Sequence, residues 1–421
     1  MPIFSDLLRP FAGKDNYSSS GNLSGQAWKR LKKDKLAMLS LIIISIALLI
    51  AIFCYFIIPD NTPLANRQIP QIALQNPGFS VTLLKVRKNE LIEKKGFFSK
   101  LISGQKSEYN FVPISNHTFS NDRMIITEFG RDGDSSGIFQ EYYLADIVYP
   151  LTLEKGKPFF KNDTAFFILI NGIESRQSIA DLKEKIIKEN ILKSTYIFGT
   201  DRFGRDMFSQ LLLGTRISLS VGFISVLISL LLGLLIGSIG GFYRGWIDQV
   251  VIWFINVVWS IPTLLLVIAI TFALGKGFWQ VFIAVGLTTW VEVARVSRGQ
   301  ILSVREKEYV EAGKALGFSN SRIIFRHVLP NIMAPVIVIA TANFASAILI
   351  EAGLSFLGIG VQPPVPSWGT MIRENYSYII LDKAYLASLP GIAIMLLVLA
   401  FMILGNGLRD ALDVRTFRKP D

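Results

Sequence analysis

The chain has 421 residues, 51% of them hydrophobic and only 18% charged, where a soluble domain carries about a quarter charged residues. The deficit is concentrated in long uncharged runs, which excludes an ordinary soluble globular protein and indicates the membrane class. A net charge of +11 fits Lys/Arg-rich cytoplasmic flanks better than nucleic-acid binding, since no basic patch interleaves with aromatics in a recognisable module. The single cysteine, Cys54, excludes an intrachain disulfide.

In chain order, Lys29, Arg30, Lys32, Lys33 and Lys35 cluster ahead of the first apolar run. They place the N-terminus in the cytoplasm. Residues 36–58 are free of charge and exceed the roughly 20 residues that cross ~30 Å of hydrocarbon. The run is too long for a signal-peptide core and lacks a small-residue cleavage site, so it reads as an uncleaved anchor. Residues 59–192 mix β-like pieces (79–86, 124–129, 166–170) with a helix-like 178–191, and read as a small α+β domain on the outer face. Its basic residues between 85 and 100 are no objection, because long loops translocate largely regardless of charge. Residues 193–216 form an external segment before the next span.

Residues 217–239 are again uncharged, and Gly233, Gly237 and Gly241 make a ridge of small residues that permits close helix packing. Residues 250–274 carry Pro262, which predicts a kinked span. Residues 277–296 form the fourth span, with Glu292, Arg295 and Arg298 making a snorkelling, salt-bridged face at its inner end. Residues 328–350 and 384–408 complete six. The loop between the fourth and fifth spans falls inside, with Arg305, Lys307, Lys314, Arg322 and Arg326. Segments 275–276 and 353–383 fall outside. The cytoplasmic C-terminal tail, 409–421, holds Arg409, Arg415, Arg418 and Lys419.

The polar island between the last two apolar runs but one, about 297–330, is the most patterned stretch. Residues 306–316 are good helix formers, and Gly317 suits a left-handed C-cap. Ser319 stands where an N-cap belongs. The expectation is a short helix-turn-helix beneath the membrane. Tyr309, Ala312 and Leu316 share one face, Ala312 and Gly313 are small enough for close approach of a partner, and Glu311 can salt-bridge or cap. Leu329, Pro330 and Pro335 mark the approach to the fifth span.

This stretch, Glu308-Tyr-Val-Glu-Ala-Gly-Lys-Ala-Leu-Gly317 through Leu329-Pro330, resembles the cytoplasmic coupling loop of binding-protein-dependent ABC importer permeases. Glu311, Ala312, Gly317, Leu329 and Pro330 match. Gly313 replaces the usual second Ala, and His327 stands where an aliphatic residue is common. The run Arg326-His-Val-Leu-Pro-Asn331 is the form of peptide-type permeases. Ala27-Trp-Lys-Arg-Leu-Lys-Lys-Asp-Lys-Leu-Ala37, Phe198-Gly-Thr-Asp-Arg-Phe-Gly-Arg-Asp206, Leu349-Ile-Glu-Ala-Gly-Leu-Ser-Phe-Leu-Gly358 and Pro366-Ser-Trp-Gly369 are similar to segments of the dipeptide/oligopeptide/nickel permease family. The resemblance covers 27–58 and about 197–415, and nothing is carried onto the insertion between them.

The resemblance implies an all-α integral membrane protein with the six helices of the type I ABC importer permease fold and an inserted α+β extracytoplasmic domain, in a bacterial plasma (inner) membrane. It implies a second permease chain, usually as a heterodimer, separate ABC ATPase subunits, and an extracytoplasmic solute-binding protein. No cofactor is expected on this chain. It has no Walker A pattern, so ATP is used by the partner. The two histidines, His117 and His327, fall in separate compartments and make no metal site. Asn256, Asn343 and the acidic Glu351 are candidates to line a pathway, against the alternative that they only bond across helices or to interfacial water. Asp201, Arg205 and Asp206 can form an ordering network. The sequence leaves open a permease-derived scaffold or regulator, and a membrane enzyme with its site in the external domain. It does not choose between dipeptide, oligopeptide, nickel-chelate and glutathione.

Overall fold

The computed structural model describes residues 23–130, 137–152, 158–275 and 277–412. Arg415, Arg418, Lys419 and Lys276, and the tail before residue 23, lie outside these. Helix α1 (Leu23–Lys33) precedes α2 (Lys35–Ile57). The next segment holds β1 (Phe79–Arg87), α3 (Phe97–Ser103), β2 (Tyr109–Ser120), β3 (Arg123–Glu128), β4 (Phe139–Tyr143) and α4 (Leu144–Val148). It continues with β5 (Phe159–Lys161), β6 (Thr164–Ile168), β7 (Glu174–Ser178), α5 (Ile179–Lys185) and β8 (Ile191–Tyr196). The remainder is helical: α6 (Met207–Tyr243), α7 (Gly245–Trp259), α8 (Thr263–Leu274), α9 (Phe278–Val304), α10 (Glu308–Ala315), α11 (Asn320–Ile323), α12 (Leu329–Phe356), α13 (Trp368–Asn375) and α14 (Tyr385–Leu412).

These elements form two compact units. One comprises Leu49–Ile217 and Pro363–Gly391. Its larger sheet has the order β4-β3-β2-β1-β8, antiparallel throughout, with Leu84 opposite Val112 and Leu83 opposite Leu192. A smaller sheet runs β5-β6-β7. Alternation puts Leu84, Ile114, Met124 and Ile126 on one face, where they meet Leu144 and Ile147 of α4, Leu182 of α5 and Phe167 of β6 in one core. Buried Asn190 fixes the turn after α5, donating to the carbonyls of Lys85 (2.7 Å) and Ile147 (3.1 Å). The last strand ends at Tyr196, four residues beyond the expected boundary at 192.

The other unit comprises Ser218–Gln362 with residues 23–48 and 392–412. Within it α6 meets α9 through the glycine ridge. A Cβ on Gly233 would lie 2.6 Å from Val293 Cγ1. One on Gly237 would lie 2.6 Å from the Ala294 carbonyl oxygen, and one on Gly241 2.9 Å from that of Arg298. Ser297, buried in this contact, donates to the Gly233 carbonyl at 3.2 Å.

By length and composition, α2, α6, the continuous run Asn320–Phe356 and α14 can each cross a membrane, and α7 with α8 makes a bent pair. Four of the six expected spans therefore coincide with such helices. The third is not a kinked helix but a break of 90° between α7 and α8. Ile261 precedes a proline, which disfavours helical backbone there, and Pro262 takes φ −54°, ψ 123°. The fourth, α9, has 27 residues but contains Glu292, Arg295 and Arg298. Its arginines do not pair with Glu292 as expected. Arg298 makes a bidentate ion pair with Asp248 of α7 (2.6 and 2.7 Å), and Arg295 bonds Asn256 and lies 3.5 Å over the Trp259 ring. The acid that answers Arg298 is supplied by tertiary packing rather than by helical spacing.

Candidate coupling site

The polar island folds as a capped helical turn. Helix α10 ends in a Schellman arrangement: Phe318 N–H donates to the Gly313 carbonyl at 3.0 Å and Gly317 N–H to that of Lys314 at 2.9 Å. Gly317 takes φ +75°, a conformation that glycine adopts without Cβ strain. Ser319 then caps α11, its hydroxyl accepting from Arg322 N–H at 3.4 Å. The second helix is not a separate element, because a π-turn over Ile324–Val328 joins α11 to α12. Pro330 follows directly on this π-turn and donates no backbone bond back into it.

Burial separates the two faces of α10. Val310 and Gly313 point inward, and Val310 packs with Ile323, Ile324, Val328 and Ile332 against Phe242 at the end of α6 and Ile301 of α9. Leu329 is half-buried against the same cluster, while Pro330 is exposed. Tyr309 (43% exposed), Glu311, Ala312 and Leu316 (72% exposed) face outward. The expectation that Gly313 admits a partner is thus corrected: its bare Cα faces Phe318 and Ile323, with 3.5 and 3.8 Å of room for a Cβ. The small residues on the outside of α10 are Ala312 and Ala315.

Cations ring this core. Arg322 lies 4.1 Å over the Phe318 ring, and Arg305 and Lys314 each 5.7 Å from that of Phe242. His327 stacks on Phe318 at 6.1 Å. Arg244, at the joint of α6 and α7, ion-pairs Glu306 just before α10. Sequence reasoning passed over Phe242, Phe318 and the 63%-exposed Phe325. An aromatic immediately after the Gly240-Gly241 pair was the available signal for the first.

The three pathway candidates bond to different residues. Asn256 is exposed and accepts from Arg295 at 3.2 Å. Asn343 is buried between α6 and α9, donating to Ser229 Oγ and the Thr289 carbonyl, both at 3.4 Å. Glu351 is fully buried and accepts from Ser355 Oγ at 2.7 Å.

In the other unit, Asp201 and Glu374 grip Arg205, at 2.6 Å through Nε and 2.7 Å through Nη2. Asp206 turns away and accepts from the Ser209 hydroxyl at 2.5 Å. Burial pushes the Asp201 carboxyl up from its ordinary range, opposed by the Arg205 guanidinium and by the N–H groups of Arg205 and Phe203. Glu374, from α13, is the member that sequence spacing could not supply.

Membrane-length helices in this number define a multi-pass helical membrane protein. Residues 217–418 match the binding-protein-dependent transport system inner membrane component family, and residues 22–77 match the N-terminal transmembrane domain of oligopeptide transport permease C. The chain is 44% identical over 205 residues to the dipeptide transport system permease protein DppC of Alkalihalophilus pseudofirmus, covering 49% of this chain and 67% of that protein. It is 40% identical over 205 residues to the glutathione transport system permease protein GsiD of Pectobacterium atrosepticum, covering 49% and 68%. A chain of the inward-facing MetNI methionine ABC transporter is 18% identical, with a TM-score of 0.42 over 49% of this chain and 98% of that one.

The chain belongs to the binding-protein-dependent transport system inner membrane component family, and is a permease subunit of an ABC importer. Its relatives are transport permeases rather than enzymes, and ATP hydrolysis belongs to separate subunits.

Proposed function

We propose that this permease forms half of a translocation pathway for small peptides, including glutathione, and receives its ATPase on the outward face of α10. The single observation that carries the docking assignment is a helix capped at Gly317, seated on Phe242, whose opposite face leaves Tyr309, Glu311, Ala312 and Leu316 exposed. A rigid helix on a packed base passes a push to α6, α9 and α12, where a floppy loop would absorb it. The peptide assignment draws on relatives named for dipeptide and glutathione transport.

In this reading six spans place both termini in the cytoplasm of a bacterial inner membrane, with α9 as the fourth and the α7–α8 pair as the third. Residues 59–192 form an extracytoplasmic α+β domain. A second permease chain, making a heterodimer, completes the pathway. An extracytoplasmic binding protein delivers solute, and ATP is used by the partner ATPases with no cofactor on this chain. Gly317→Pro removes the N–H that bonds Lys314 and forbids φ +75°. Uptake of labelled dipeptide and glutathione by cells carrying this variant is expected to vanish while membrane insertion persists. Uptake at the wild-type rate with equal expression would refute the coupling role.

A further inference from the structure

Helix α3, in the segment between β1 and β2, is two turns long, and its sequence Phe97-Phe-Ser-Lys-Leu-Ile-Ser103 puts Phe97, Phe98, Leu101 and Ile102 on one side. That side is largely exposed: Phe97 is 60% exposed, Phe98 77% and Ile102 66%. Exposed apolar clusters of this kind mark interaction sites. The neighbouring surface identifies the occupant. Phe97 stacks on Phe56 at 5.2 Å, and Phe56 belongs to the exposed apolar flank of α2 with Ile52, Phe53 and Ile57.

The helix is also fixed in place. Arg216 Nη1 donates to the Leu101 carbonyl at 2.9 Å, and Gln105 N–H to that of Asn61 at 3.0 Å. Gly104 closes against Tyr55, where a Cβ would lie 2.7 Å from the ring. Lys100 lies on the helix itself and Lys95 Nζ donates to Ser103 Oγ at 2.6 Å, so cationic heads stand beside the apolar side, as snorkelling residues do at a lipid headgroup layer.

From this geometry we infer that α3 is an interfacial membrane anchor: Phe97, Phe98 and Ile102 enter the headgroup–acyl boundary at the C-terminal end of α2 and hold the inserted segment against the bilayer. The aromatic flank of α2 continues onto α3 through the Phe56–Phe97 stack, so lipid that covers one reaches the other. Phe and Leu are among the residues that interfacial helices bury on their apolar face. The inference rests on α2 crossing the bilayer, as the matched N-terminal transmembrane domain implies.

The test uses the full chain in phosphatidylcholine–phosphatidylglycerol nanodiscs, with Cys54→Ala removing the native thiol. Nitroxide labels are placed singly through Phe98→Cys, Ile102→Cys, Phe53→Cys on α2, and Phe139→Cys on β4, an exposed aromatic elsewhere in the same unit. Labels at 98 and 102 are expected to be relaxed by oxygen and shielded from an aqueous nickel chelate, as at 53, with 139 showing the reverse. Labels at 98 and 102 that behave like 139, or that neither reagent reaches, would overturn the anchor, the latter in favour of a protein partner. An aqueous label at 53 would overturn the span reading together with the anchor. Should a variant misfold, the native chain in the same lipids carrying a diazirine acyl chain supplies the readout. Lipid adducts on residues 96–104 support the anchor, and adducts on α2 without any there refute it.

Discussion

At Gly237 an added Cβ would press 2.6 Å from the Ala294 carbonyl oxygen, whereas at Gly317 it would meet nothing within 4 Å. The α6–α9 contact needs glycine because two backbones approach; the turn after α10 needs it because the chain turns through φ +75°. Gly313 satisfies neither condition, since it is helical and has room. The lesson is that glycine marks three physical situations in this one unit. They respond differently to the same substitution: a steric site scales with side-chain size, a conformational site responds to the first methyl, and a neutral site gains from it.

The largest effect is expected at Gly237→Leu, which forces apart a contact sealed by buried Ser297. Overpacking of this kind destabilises by about 3 kcal/mol, and detergent-solubilised protein should show a lowered thermal midpoint and poor recovery. Recovery equal to wild type would mean that α6 and α9 do not meet through the ridge. Next comes Gly317→Ala, where a left-handed L-residue costs roughly 1–2 kcal/mol. Here a partial loss of uptake with normal insertion is expected, and Gly317→Asn should do less harm than Ala. Equal uptake by the Ala variant and wild type would sever the turn from function. The smallest effect is expected at Gly313→Ala, where Phe318 and Ile323 leave ordinary contact distances and helix propensity favours Ala by about 1 kcal/mol. A slightly raised thermal midpoint with unchanged uptake is expected, and a fall would place a partner's backbone, rather than Phe318, against that position.

Much of this was legible in the sequence where the physics is local. Uncharged runs of bilayer length mark α2, α6, α12 and α14, and the caps at Gly317 and Ser319 follow from residue preferences within a few positions. What lay hidden depends on residues far apart in the chain. Strand β2 carries Pro113, Asn116 and His117 and a register shift between Ile114 and Asn116, so its alternation is broken. Strand β8 follows directly on the helical turn that the apolar pattern of 178–191 had absorbed. Glu374 answers Arg205, and Asp248 answers Arg298, across many intervening residues. The inward aim of Gly313 depends on Phe318 folding back, which the Schellman turn decides. The outward face of Tyr309, Ala312 and Leu316 was readable from helical spacing alone.

The most direct measurement is purification of the chain from its native membrane in mild detergent, comparing wild type with Leu316→Asp on the exposed face of α10. An ATP-binding-cassette ATPase and a second permease should accompany the wild type. The ATPase should be lost from the Leu316→Asp preparation while the second permease stays. An ATPase retained in equal amount by both would contradict docking on that face.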